Sequence, residues 1–241
     1  MKVEEVKTSL ARHANAVIAQ HSQRFFKTEP GEYGAGDRFI GIRVPVIRAQ
    51  AAKFSNLPLK EVELLLRSDI HEERLCALIM LVNQYTVGGQ MEKEAIYNSY
   101  LGNTKYINNW DLVDCSAAKV VGAHLQNSNR SILDRLAVSD SLWERRIAII
   151  ATHWFIRMNE FDDTLRIAEC LLTDEHDLIH KAVGWMLREV GKRNQVIEED
   201  FLLGHYPRMP RTMLRYAIEK FPKARRQQYL KGTAHLETLH H

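Results

Sequence analysis

Cysteine is scarce: Cys76, Cys115 and Cys170 are the only ones, and no CxxC spacing occurs. An odd, unpaired set argues against a disulfide framework and a zinc site, and fits a reducing compartment. Long apolar runs are missing too. Nothing approaches the roughly 20 consecutive residues of a membrane span. The opening stretch MKVEEVKTSLARHANAV is too charged for a signal peptide, so a cytoplasmic protein is expected. No GxGxxG or GK[ST] spacing is present, which removes the common phosphate-cradling nucleotide loops. The eleven histidines contain no HExxH, and neither a Ser-His-Asp array nor the paired carboxylates of ordinary glycoside hydrolysis is evident. No metal site is expected.

Period-2 alternation hardly occurs, whereas apolar residues recur at i, i+3/i+4, i+7 nearly throughout. HEERLCALIMLVNQY places Leu75, Leu78, Ile79 and Val82 on one face, and SLWERRIAIIATHWFIR places Trp143, Ile147, Ile150 and Trp154. DLIHKAVGWMLREVGK does the same with Ile179, Val183, Met186 and Val190, and RTMLRYAIEKF with Leu214, Ala217, Ile218 and Phe221. The expectation is an all-α protein. Setting HEERLCAL, WERRIAII, IHKAVGWM and LRYAIEKF in register aligns Arg74, Arg146, Lys181 and Arg215 at steps of 72, 35 and 34 residues. The first step is two repeats of 36, with the NNWDLVD segment filling the gap. A helix pair every 35 or so residues is the mark of an α-solenoid of helical repeats, read here as one domain over residues 1–241. Gly31, Gly34, Gly36 and Pro30 interrupt the pattern and predict an ordered loop at about 28–42. Phe25, Phe26 and Tyr33 beside it serve either packing or ligand contact.

Net charge is only +3, but it is unevenly placed. From Gly204 to Gly232 the chain carries +7 and the remainder −4, running into a basic tail at about 223–241. A basic surface at one end suits either a polyanion such as nucleic acid or a merely solvated tail. In a solenoid, equivalent positions line one concave face, so the aligned basic residues would form a ladder. Lys181, Arg188 and Lys192 share a stripe with Trp185, off the apolar stripe of that helix. An aromatic among cations fits a nucleic-acid surface, or a helix-edge tryptophan covering a neighbouring repeat.

In YINNWDLVDCSAAKVVG, residues 106–122, Asn108 or Asn109 caps a helix on which Trp110 and Asp114 stand one turn apart. Asp111 reads as an acid in the first helical turn, and Cys115 as a small core residue rather than a nucleophile. Trp110, Asp114, Arg146 and Trp185 come from consecutive repeats and would supply a carboxylate, a guanidinium and two indoles. A single carboxylate suffices when the leaving group is already cationic, as an N3- or N7-alkylated purine is. Such a base departs neutral without a general acid. The carboxylate then has only to stabilise the cationic deoxyribose and place a water.

The motifs NNWDLVD, LWERRIAI and IHKAVGWMLREVGK, in this order, resemble those of the AlkD family of DNA alkylation-repair glycosylases over roughly residues 20–222. The resemblance implies HEAT-like repeats with a concave basic face for duplex DNA. It also implies cofactor-free excision of cationic N3- and N7-alkylpurines with the base left stacked. Carried over by motif, the catalytic carboxylate falls on Asp114, the supporting tryptophans on Trp110 and Trp185, and the active-site arginine on Arg146. Arg74, Lys181, Arg188, Lys192, Arg211 and Arg215 are the expected DNA contacts. The expected partner is double-stranded DNA containing alkylated bases, with no obligate protein partner and a nucleoid association when bound. The Gly-rich loop is longer than the family pattern. Some relatives on this scaffold lack the catalytic residues, so a non-catalytic HEAT-repeat protein recognising bent or branched DNA is the alternative.

Overall fold

A computed structural model describes residues 1–235; residues 236–241, with His240, His241 and the end of the basic tail, lie outside the described residues. The described residues are all-helical apart from one isolated bridge between Arg38 and Ile70, and this is consistent with an α-solenoid of helical repeats. The chain gathers into two compact units, Met1–Leu125 and a second from Gln126 onward.

The first unit contains α1 (Val3–Ala11), α2 (Ala16–Phe25), α3 (Val44–Lys53), α4 (Leu59–Leu66), α5 (His71–Val87), α6 (Gln90–Gly102) and α7 (Trp110–Ala117). Its centre is α5, against which α3, α4, α6 and α7 all pack. Leu75, Cys76, Leu78, Met80 and Leu81 of α5 are buried, and so are His71, Glu72, Glu73 and Arg74 of its first turn, so this helix is enclosed on more than one face, as a central helix must be. The Gly-rich loop between α2 and α3 is tied to α5 by Glu72. Its buried carboxylate accepts from the backbone N–H groups of Ile40, Gly41 and Ile42 at 3.1, 2.7 and 3.2 Å. Gly41 is required there. Its φ is +80° and a Cβ would lie 2.1 Å from the carbonyl oxygen of Asn15.

The second unit contains α8 (Ile132–Ala137), α9 (Leu142–Ala151), α10 (His153–Arg157), α11 (Asp162–Cys170), α12 (Asp177–Gly191), α13 (Gln195–His205), α14 (Arg211–Ala217) and α15 (Lys223–Lys231). Partner helices alternate with α9, α12 and α14: α8 packs on α9, α11 and α13 on α12, and α12 on both α9 and α14. The apolar stripe expected on α12, Ile179, Val183, Met186 and Val190, is fully buried. The helix expected across 141–157 breaks at Thr152, whose hydroxyl bonds back to the Ile149 carbonyl at 2.7 Å and gives the ladder a competing partner. What reads as a basic tail begins as α15. Tyr229 is buried and Arg225 both pairs with Glu199 and lies over the Tyr229 ring.

Candidate active site

Helix α7 starts at Trp110 because Asn109 caps it, its Oδ1 accepting from the Trp110 N–H at 2.8 Å. Its far side is fixed by buried apolar residues and by a polar link from α6. Leu112, Val113 and Ala117 are buried, and the Tyr100 hydroxyl meets Ser116 Oγ at 3.0 Å. Beyond Ala117 the helix widens into a π turn at Ala118–Gly122, a deviation that recurs at functional sites. Trp110 and Asp114 stand one turn apart on the opposite, half-exposed side.

The N-terminus of α7 rests on an ionic network. His71, at the start of α5, presents Nδ1 to Asp37 Oδ2 at 2.8 Å and Nε2 to Asp111 Oδ2 at 2.9 Å. Carboxylates only accept, so an imidazole bonded to one at each nitrogen carries both protons and is a cation. Burial, the largest single influence, works against that charge, but Asp111 and then Asp37 outweigh it and raise the His71 pKa to about 9. Asp37 also takes Arg74 Nη2 at 2.5 Å. Burial opposes its ionisation most strongly, yet His71 and Arg74 together hold its carboxyl below the usual range. Both ring nitrogens are occupied, so His71 serves as a cation and not as a metal ligand, and no group of three His, Cys, Asp or Glu side chains placed to hold a metal occurs among the described residues.

Above the network lies an aromatic stack. Phe39 stacks on His71 with centroids 4.3 Å apart, Phe26 stacks on Phe39 at 5.0 Å, and Trp110 stacks on Phe26 at 5.3 Å. Such pairs add about 0.5–1.5 kcal/mol each beyond their burial. Of the two roles open to the phenylalanines, Phe26 packs. Phe25 meets Trp110 edge-on at 6.0 Å while remaining 58% exposed, so the indole faces solvent beside a second aromatic edge. Desolvation, with Asp111 and Asp114 adding to it, pushes the half-buried Cys115 thiol up to about 12, which disfavours the thiolate a nucleophile needs.

The structure corrects the repeat register. Ser68 Oγ accepts from the N–H two residues on and its carbonyl from Arg74 Nη1 at 2.9 Å. Ser139 does the same with Ser141 and Arg145, and Asp174 with His176 and His180. Arg74 is therefore equivalent to Arg145 and His180, one position short of Arg146 and Lys181. It is 4% exposed and bonded to Asp37 and Ser68, so its guanidinium is enclosed by these partners and does not stand on an open ladder of exposed cations. Counted from the caps Ile70, Asn109, Ser141, His176 and Pro210, the fifth positions are Leu75, Asp114, Arg146, Lys181 and Arg215.

Arg146 is also more enclosed than its place off the apolar stripe suggested. It is 5% exposed, with Nη1 on the Leu178 carbonyl at 2.5 Å. In the same unit the Trp185 indole is half-exposed, lies 6.0 Å from the His153 ring, and donates its N–H to Glu189 at 3.0 Å. The cations of that stripe have acidic neighbours. Lys181 pairs with Asp177 at 2.7 Å, Lys192 with Glu189 at 2.6 Å, and Arg188 with Glu219. Arg211 caps the Leu230 carbonyl at 2.8 Å, and Arg215 is exposed. Trp110 and Asp114 belong to the first unit, and Arg146, Trp185 and these cations to the second. A separate apolar hollow of about 670 Å³ among Leu57, Val87, Met91 and Ile96 has Glu92 as its one titratable lining group and takes no part in this site.

A family model described as DNA alkylation repair enzyme matches residues 6–221. A solved structure described as a predicted DNA alkylation repair enzyme from Enterococcus faecalis is similar in fold. Its TM-score is 0.69 at 19% identity, covering 88% of this chain and 98% of that one. No curated protein matches.

Proposed function

Because the chain belongs to the DNA alkylation repair enzyme family, we propose that it is a DNA glycosylase that hydrolyses the N-glycosidic bond of cationic N3- and N7-alkylated purines in duplex DNA. The observation that carries this reading is the placement of Asp114. It is a half-exposed carboxylate one turn past Trp110, on a helix whose start is clamped by the Asp37–His71–Asp111 network. In the proposed reaction the C1′–N bond breaks and its electron pair neutralises the cationic base, so no proton need be supplied. Positive charge develops on the deoxyribose, a water oxygen bonds to C1′, and the water's proton passes to solvent. Asp114 stabilises that charge and orients the water, and a fixed negative group of this kind is worth roughly 3–4 kcal/mol. The Trp110 face, and Trp185 in the second unit, add attraction for a cationic sugar or base.

In this proposal Lys181, Arg188, Lys192, Arg211 and Arg215 hold backbone phosphates. Exposed ion pairs such as Lys181–Asp177 are worth only about 0–1 kcal/mol, so exchanging a carboxylate for a phosphate costs little. Arg146 enters as a cation fixed by the Leu178 carbonyl, not as a swinging side chain. The protein would work in the cytoplasm, nucleoid-associated when bound.

The test is release of free base from a duplex carrying one N7-methylguanine, with no metal added. Wild type should release it, and Asp114→Asn should bind the duplex equally but excise about 100- to 1,000-fold more slowly. Excision by Asp114→Asn at the wild-type rate refutes the assignment. Duplex binding without release of N7-methylguanine or N3-methyladenine by wild type would establish the non-catalytic alternative.

A further inference from the structure

We propose that a pocket on the first unit, walled by Arg38, Arg67, Arg74 and Lys105, binds a phosphate group. The pocket has a volume of about 210 Å³ and is formed where the Gly-rich loop meets the turn before α5 and the turn before α7. Since one water occupies about 30 Å³ of liquid, the space admits a tetrahedral oxyanion with part of its hydration.

Its charge is strongly biased. Four cations face two carboxylates, Asp37 and Asp69. Asp37 is already engaged by His71 and Arg74 at 2.8 and 2.5 Å, which leaves Asp69 as the exposed acid. Lys105 lies over the Tyr106 ring at 4.9 Å with no carboxylate partner among the described residues, and Arg38 is exposed and likewise without one. Arg67 holds Asn103 through Nε at 3.1 Å and reaches Glu63 only at 3.9 Å, so its guanidinium keeps donors to spare.

The second, independent observation is at the inner wall. Arg74 is buried and lines the pocket, yet its Nε has no acceptor among the described residues. A buried N–H of a charged group is costly to leave unpaired, and an anion in the pocket would satisfy it. The neighbouring Asn108 Oδ1 is also buried and unpartnered. Oxygen and nitrogen of an amide are interchangeable by a flip, which would present Asn108 Nδ2 as a further donor. A guanidinium with its Nε–H unpaired at the floor and exposed cations at the rim supply the charged donors that phosphate recognition uses.

The phosphate is either a DNA backbone phosphodiester, which rests on the function proposed above, or a free phosphate ion. The full chain and its Arg38→Ala/Lys105→Ala variant, both substitutions at exposed sites, separate the two. Binding of an undamaged duplex is followed by anisotropy from 50 to 300 mM NaCl, and inorganic phosphate is titrated calorimetrically in a non-phosphate buffer at constant ionic strength. If the pocket holds a DNA phosphate, the slope of log affinity against log salt becomes shallower by about one in the variant. If it holds free phosphate, wild type shows saturable phosphate binding that the variant loses, with the DNA slope unchanged. An unchanged slope together with no saturable phosphate binding by wild type overturns the proposal. Failure of wild type to bind duplex, with phosphate binding intact, would count against the glycosylase reading and for the pocket.

Discussion

Raising the pH should unlock the start of α7 through one residue, His71. The imidazolium is faced by Asp37 from the Gly-rich loop, by Asp111 from α7, and by the rings of Phe26 and Phe39; Arg74 and Asn109 reach the same Asp37 carboxylate. Its pKa is about 9 in the folded chain against 6.5 when exposed. The folded state therefore holds the proton more tightly, and the contribution is complete below pH 6.5 and lost as pH rises through 9. At about 1.4 kcal/mol per pH unit of difference, the loss is on the order of 3 kcal/mol. For a chain of this size that corresponds to roughly 6–12 °C in Tm. Unfolding by urea and by heat, followed by circular dichroism from pH 6 to 10, measures it. The Glu198→Gln background is used because Glu198 titrates in the same window. Adding His71→Gln should lower stability at pH 6 and flatten the pH dependence. If the curves with and without His71→Gln run parallel from pH 6.5 to 9, His71 is not the buried cation inferred here.

Glu198 itself gives a second prediction: burial, then the charges of Glu199 and Glu189, outweigh Arg188 and raise its pKa to about 9, and its Oε1 has no partner among the described residues. Folded chains thus bind a proton that unfolded chains release above about 4.5, so wild-type stability should fall as pH rises from 4.5 to 9 relative to Glu198→Gln. Glu198→Gln should be the more stable protein at pH 8, and identical pH profiles would contradict this. Gly184→Ala should destabilise by about 1–3 kcal/mol in urea, despite the better helix propensity of alanine, because its Cβ would lie 2.4 Å from the Met213 carbonyl oxygen where α12 crosses α14. A gain in stability would show that this crossing relaxes freely.

Helical periodicity alone determined the class of fold, because each helix must bury one stripe and the stripes of α12 and α14 are written in their own residues. A cap at Asn108 or Asn109 and the Trp110–Asp114 spacing were legible for the same reason, since both are local; the fold places the cap at Asn109. The network under them was not. Asp37 and His71 are 34 residues apart and His71 and Asp111 are 40 apart, and nothing in either segment announces the other. Read locally, Asp111 is only a first-turn acid, and in the fold it is also one of two counter-ions of a buried imidazolium. The register of Arg74 failed by one residue because HEER and WERR match by letter, whereas the fold counts from the cap and from the serine that bonds each arginine. Exposure was likewise a tertiary decision. Arg74 and Arg146 lie off the apolar stripes of their helices, yet both are buried, with carbonyls and a carboxylate from other segments engaging the Nη atoms of Arg74 and Nη1 of Arg146. Sequence specifies which side chains a helix face carries, but only packing brings distant polar groups close enough to decide which charges stay free for a ligand.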